Sequence, residues 1–278
     1  MSIRIVTDST CDLPAEIISR YEISVIPVYI NIGEKGYLDG IDITRQDFYQ
    51  NLPTFKAHPT TAAPGIEMFH NTYEQLVNRG AKQILSIHIS QSLSGVMGVA
   101  QIAAESYKKA MVKVLDSRQL GIGLGFQVET AARMAQEGKN LNEILAVLED
   151  QIRRTYVFAA LETVEFLQRS GRMNWMMAGL ASLLKVKPLL KMHDGHPTSE
   201  RIRTYNNAIN RLLVLLKQVT PLERAAIINT NAPDKAEALR AKADDLLPEG
   251  NVPTVGITPV IGAHVGPGVV GFACISRK

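Results

Sequence analysis

The chain has 278 residues, long enough for one large domain or two ordinary ones, each with its own core. Hydrophobic residues make up 46% and charged residues 21%, as in soluble globular proteins, and a net charge of +3 is too small to argue for nucleic acid. No apolar run reaches membrane-span length, the start "MSIRIVTDST" lacks a signal-peptide pattern, and two cysteines, Cys11 and Cys274, do not make a disulfide framework, so a cytoplasmic protein is expected.

In chain order, "IRIVTD" reads as a strand, followed by a helix with Asp12 as its N-cap and Pro14 in the first turn. "SVIPVYIN" reads as the next strand. Thr44 and Asp47 form a capping-box pattern ahead of "RQDFYQNL". "KQILSIHIS" and "VKVLDS" are strands, each followed by a helix, "GVAQIAAESYKKA" and then "LGFQVETAARMAQEG", the latter stopped at Gly138. Strands alternating with helices predict a mainly parallel sheet flanked by helices.

The pattern changes near residue 153, which predicts two α/β domains, 1–153 and 154–278, with ligand held between them. "NEILAVLEDQIRRT" is a helix and "YVFAAL" a strand, with helical stretches running on through "MAGLASLLK". "KPLLKMHDGHPTSERIRT" reads as two strands joined through Asp194-Gly195, a hairpin signal. Then come a helix "NAINRLLVLLKQ", a strand "RAAIINT", a helix "DKAEALRAKADDLL", and two late strands, "VPTVGITPV" and "VVGFACIS".

Two glycine-rich loops invite a nucleotide reading. Gly266 to Gly271 has the G-x-G-x-x-G spacing, but it leads into a strand rather than a helix, and little chain follows for the acidic partner. "GIGLG" at 121–125 enters a helix, but its third glycine comes one position early. Neither carries the fingerprint, and no cofactor is expected.

Three segments are rich in hydroxyls: "TDSTCD" at 7–12, "HPTTAAPG" at 58–65 and "ISQSLSG" at 89–95. Each alone reads as caps and turns. Together, on the carboxyl edge of a parallel sheet, they read as a ligand site, with Ser92, Ser94 and the Gly95 amide ahead of a helix suited to an anion. His264 sits among glycines that allow close backbone approach; it fits a core position or a ligand contact equally. Cys11 follows a strand and is a candidate nucleophile with no nearby base. His193 and His196 flank the Asp-Gly turn without a third metal ligand. Residues 151–218 carry 11 Lys or Arg against 4 Asp or Glu, a local excess of +7. Within them, Arg169, Arg172 and Arg203 fit either an anion-recognition surface or a solvated face.

Taken together, "VTDSTCDLP", "PTTAAPG", "ISQSLSG", "LQRSGR", "KVKPLLKMHDG", "RIRTYNNAI" and "TPVIGAHVGPGVVG" resemble the DegV family, in family order from one end of the chain to the other. The resemblance implies a bacterial fatty-acid-binding protein without catalytic activity, and in some members an acyl carrier that presents its ligand to a fatty acid kinase. It implies further that Thr61, Ser92, Ser94 and His264 lie at the fatty acid carboxylate. Arg172 and Arg203 match arginines of the carboxylate network or of kinase docking. Transient membrane contact would accompany such a role. The sequence departs from the family pattern at Ala62 and Ala63, where Ser-Gln is usual, and at Val96, where a hydroxyl often stands. "MNWMM" after Arg172 is unusually bulky. A Ser-dependent ester hydrolase using Ser94 and His264 is the alternative, although no nucleophile elbow and no third member is evident.

Overall fold

The computed structural model describes residues 3–172 and 186–278. From the N-terminus, β1 (Ile3–Asp8) passes through a 3-10 turn (Ser9–Cys11) to α1 (Ala15–Arg20), β2 (Ser24–Ile26), β3 (Tyr29–Ile32) and β4 (Lys35–Leu38). Then follow α2 (Arg45–Asn51), β5 (Thr60–Ala62), α3 (Ile66–Asn78), β6 (Gln83–His88), α4 (Val96–Ser106), β7 (Met111–Asp116), α5 (Gly121–Gln136) and α6 (Leu141–Arg154). The remainder is β8 (Thr155–Ala160), α7 (Glu165–Arg169), β9 (Lys187–His193), β10 (His196–Ile202), α8 (Tyr205–Val219), β11 (Leu222–Asn229), α9 (Pro233–Ala243), β12 (Thr254–Gly256), α10 (Pro259–Val265) and β13 (Val270–Ser276).

The first half builds a parallel sheet in the order β2-β1-β6-β7. β1 and β6 are buried on both faces, as apolar runs in a covered parallel sheet must be. α3 and α4 cover one face, and α5 packs against β1 and β6 on the other. The second half builds a six-stranded sheet in the order β10-β9-β8-β13-β11-β12, antiparallel except for β11 with β12. α8 and α9 cover its outer face. α5 also touches β8 and β13, so it is a layer shared by the two sheets. One hydrophobic core accordingly runs from Ile3 to Ile275 through both halves, and a second lies beneath α8 and α9.

Several sequence expectations are corrected. "SVIPVYIN" is two strands rather than one. Pro27 has no N–H to give the ladder, and the chain turns there out of the parallel sheet into a small antiparallel sheet, β4-β3-β5. "VPTVGITPV" is strand only at Thr254–Gly256, and Pro259, at the first turn of α10, begins a helix. Asp12 does not cap α1: Pro14 occupies that position, and Asp12, at φ 53, ends the 3-10 turn with its carboxylate directed inward. β4, β5 and α3 are elements the sequence pattern did not separate. The Thr44 cap holds, accepting from the Asp47 N–H at 3.1 Å, and α5 ends ahead of Gly138 at φ +81. Asp194 (φ 46) and Gly195 (φ 78) form the two-residue hairpin turn. The helical stretch expected through "MAGLASLLK" and the "MNWMM" segment lie outside the described residues.

Candidate functional site

β1 and β6 are neighbours, but the chain leaves them in opposite directions, toward β2 and toward β7. Loops that part in this way leave a crevice beyond the carboxyl ends of the strands. Here the loops are the turn after β1 and Ile89–Gly95 after β6. α10 packs against that turn, against β5 and against α7, and closes the crevice. The result is a cavity of about 750 Å³, mouth included, with Thr10, Thr61, Ser94, Gly95, Arg172 and His264 in its wall beside Val28, Ile89, Leu93 and Leu167. A second cavity of about 630 Å³ shares Leu93, Leu120, Leu190, Ile261 and Val265 with the first. Its other walls are almost wholly apolar, with Ile122, Val157, Met192 and Ile228 among them. The two are adjacent and share those side chains as walls: a polar end beside an apolar chamber.

At the polar end, Thr61 Oγ1 lies 2.9 Å from His264 Nε2. Thr61 is brought there by β5, which pairs with β3 and not with the parallel sheet, so the 58–65 segment reaches the site from the small antiparallel sheet rather than from the parallel edge. Burial, and then the charge of Arg172 and the ring of His58, hold the His264 pKa down at about 4. The ring is therefore neutral at neutral pH, and its Nδ1 is buried with no hydrogen-bond partner among the described residues. In one tautomer the Nε2–H donates to Thr61, which frees the threonine hydroxyl hydrogen. In the other, Thr61 donates to Nε2 and Nδ1–H is unspent. Either way the pair keeps one hydrogen that is not spent within the pair. His58, which the sequence reading passed over, bonds the backbone of Ala263 and packs on Phe166 at 5.3 Å between centroids.

The Ser94 oxygen accepts the Val96 N–H at 3.3 Å, and the residue lines the cavity. No hydrogen bond joins Ser94 to His264 among the described residues; His264 pairs with Thr61, and no carboxylate orients its ring. A serine hydrolase dyad is thus not assembled. Ser92 turns away from the site. Its hydroxyl bonds Ser90 at 2.9 Å and borders a separate polar recess with Asp116, Arg118 and Asp194. Arg172 lines the polar end and donates to the Ser170 carbonyl at 3.0 Å. Arg169 is paired with Glu165 at 2.6 Å, and Arg203 is exposed in the bend between β10 and α8, away from both cavities.

Two buried polar clusters were not anticipated. His88 Nδ1 lies 3.0 Å from Asp8 Oδ2, and His88 Nε2 lies 2.7 Å from Ser86 Oγ, which reaches Tyr73 at 3.2 Å. Burial pushes the Asp8 carboxyl up, but His88, Thr10 and the Ile89 N–H together hold it below its ordinary value. Despite the Ser-His-Asp composition, all three side chains are fully buried and none lines either cavity. The second cluster joins the halves. Asp12 Oδ1 accepts the Thr258 N–H at 2.8 Å and pairs with Arg45 at 2.9 Å, while Thr258 Oγ1 donates to Asp39. Burial, opposed by Arg45, lifts the Asp12 carboxyl to about 7.

The glycine loops are structural. Gly266 follows α10 as its C-cap at φ +77, rather than following a strand, and a side chain at Gly271 would collide with the Phe158 carbonyl. In "GIGLG", Gly125 lets α5 pass against the Cys11 carbonyl. Cys11 is not a poised nucleophile, because burial pushes its thiol up to about 12. His193 stacks on Tyr156 at 4.0 Å, and among the described residues no group of three His, Cys, Asp or Glu could hold a metal.

A family model described as the DegV family matches residues 2–277. A DegV domain-containing protein of Streptomyces coelicolor is 34% identical over 283 residues, covering 99% of each chain. Another from Listeria innocua is 31% identical over 97% of each. Among solved structures, a DegV family protein from Thermus thermophilus, described by its fatty acid binding, is 33% identical with a TM-score of 0.90, covering 99% of this chain and 100% of that one. DegV of Bacillus subtilis, described as a fatty acid binding protein, is 29% identical with a TM-score of 0.89 over 99% and 100%.

Proposed function

The chain belongs to the DegV family, and from that premise we propose that it is a non-catalytic carrier that binds one long-chain fatty acid, carboxyl group at the polar end and acyl chain in the apolar chamber. One observation carries this reading: the Thr61–His264 pair has a hydrogen not spent within it, and the cavity it lines adjoins a chamber walled mostly by apolar side chains. Thr61, Ser94, the Gly95 amide, His264 and Arg172 receive the carboxylate. Each buried methylene adds about 0.8 kcal/mol, so the chain supplies most of the affinity and the headgroup sets orientation. Ala62 and Ala63 add no hydroxyl, which leaves Thr61 as the donor from its segment.

In the finer reading, the carboxyl end is presented to a fatty acid kinase for acyl phosphate formation in the cytoplasm. The local excess of +7 in residues 151–218 supports an acidic docking partner, with Arg203 on that surface. The division proposed at 153/154 lies in the last turn of α6, just ahead of β8. Native mass spectrometry of the purified chain, followed by lipid extraction, tests the reading. About one long-chain fatty acid per chain is expected. A clean protein that ignores added fatty acid overturns it.

A further inference from the structure

Asp12 is 2% exposed and, among the described residues, is the only carboxylate in the wall of the apolar chamber. Its two oxygens differ. Oδ1 is satisfied by the Thr258 N–H and Arg45. Oδ2 is buried and has no hydrogen-bond partner among the described residues. Beside it is Gly121, also part of the chamber wall, where a Cβ would come within 3.1 Å of Oδ2. Oδ2 thus lies against Gly121, and both residues belong to the chamber wall. Asp12 is held at φ 53, a left-handed conformation that non-glycine residues seldom adopt, so its direction is fixed by the turn and by the bonds at Oδ1. A buried acceptor without a donor is costly, and a chamber meant only for methylenes has no use for one.

We propose that Asp12 Oδ2 is a subsite for a hydroxyl group carried along the acyl chain, so that the chamber accepts hydroxylated long-chain fatty acids with the hydroxyl at a defined position. The proposal rests on the fatty-acid reading above. The headgroup occupies the Thr61–His264 end, and Asp12 lines the chamber and not that end, so the group it meets lies down the chain. An ionised carboxylate accepts and cannot donate; it recognises a hydroxyl and rejects a ketone at the same carbon. Arg45, Asp39 and Asp8 are the charged groups that act on it, and each is engaged elsewhere, Arg45 with Oδ1 and the Gly256 carbonyl, Asp39 with Thr258, and Asp8 with His88.

The test uses the intact, delipidated chain at pH ~8.5, where the carboxyl is ionised. Stearic acid, its monohydroxy isomers with the hydroxyl moved along the chain, and the ketone matching the best isomer each compete with a fluorescent fatty acid. One isomer, or two adjacent ones, is expected to bind at least as well as stearate, the others about tenfold weaker or worse, and the matching ketone about tenfold weaker than its alcohol. In Asp12→Asn the amide nitrogen stands where Oδ2 was, and ketone is expected to overtake alcohol. If that variant does not fold, the isomer series on the unaltered chain decides alone. Uniform loss across the isomers, or no loss at any position, overturns the subsite while stearate binding upholds the fatty-acid reading. Failure of stearate itself to bind overturns both.

Discussion

Two histidines, His88 and His264, separate what is structural in this protein from what is ready for a ligand. His88, in the middle of the parallel sheet, spends both ring nitrogens, on Asp8 and on Ser86, and is fully buried. His264, at the end of α10, spends one nitrogen on Thr61, and its other has no partner among the described residues, in a side chain that lines a cavity. A residue type common to catalytic and binding sites thus does two jobs. The number of unsatisfied ring atoms, not the company of a serine and an aspartate, tells them apart.

Removing each ring in turn separates the two roles. His88→Leu leaves a buried Asp8 without its main partner, which is expected to cost about 3–5 kcal/mol and lower the Tm by roughly 10 °C. His264→Leu removes a ring that is only half satisfied, and is expected to change stability by less than about 1 kcal/mol. Thermal melts of both variants without ligand check this. Equal destabilisation would mean that His264 is as structural as His88.

Binding is expected to show the reverse order. Thr61→Val and His264→Leu each take away a hydrogen bond to a carboxylate, worth about 1.5–3 kcal/mol, or roughly 10- to 150-fold in Kd. Titration with a long-chain fatty acid measures it. Unchanged affinity in both variants would remove the headgroup from this end of the cavity.

The pH response is smaller and has a definite sign. The His264 pKa in the fold is about 4, below its ordinary 6.5, so the unfolded chain takes up the proton first as pH falls. Its share of stability is whole above about 6.5 and drains away between there and about 4. Asp12 runs the other way. Its raised pKa favours the fold most below 3.8, and that contribution is lost as pH rises through about 7. The informative quantity is therefore the stability of the unaltered chain minus that of His264→Leu, followed by denaturant titration from neutral to acid. A difference that does not fall over that range contradicts a neutral, buried ring.

Much of the architecture was legible because long elements carry their own period and caps. Thr44, Gly138 and the Asp194-Gly195 turn stand where local chemistry put them. Short elements were not. Pro27 and Pro259 each redirect the chain within an otherwise β-like run, and neither outcome is fixed until the partner strand or helix is known. The Thr61–His264 pairing joins residues 203 positions apart and was legible only through family resemblance. Ser86 and His88, by contrast, left a signal of their own. They are two polar residues at strand period on one face of an apolar run, and such residues need buried partners. Ser92 and Ser94 have the same spacing but lie in the turn ahead of α4, where strand period does not hold, and they part company: Ser94 lines the cavity and Ser92 the recess beside Arg118.

The smallest expected effect distinguishes Arg172 from Arg203. From sequence, both were candidates for the carboxylate network or for docking. Arg172 lines the polar end and helps to depress the His264 pKa, so its charge is felt inside the cavity. Arg203 is exposed and borders neither cavity. Arg172→Ala is expected to weaken fatty acid binding about three- to tenfold, because a charge facing a partly closed cavity is poorly screened. Arg203→Ala should leave binding unchanged. If this surface docks a kinase, that variant slows acyl phosphorylation at low salt by no more than a few-fold, and the difference vanishes as salt is raised, since a rim charge acts on encounter rate. Both activities measured side by side at two salt concentrations decide the matter. Loss of fatty acid binding in Arg203→Ala would place that arginine at the ligand, against its exposed position. Phosphorylation unchanged at either salt would leave it a solvated residue with no part in docking.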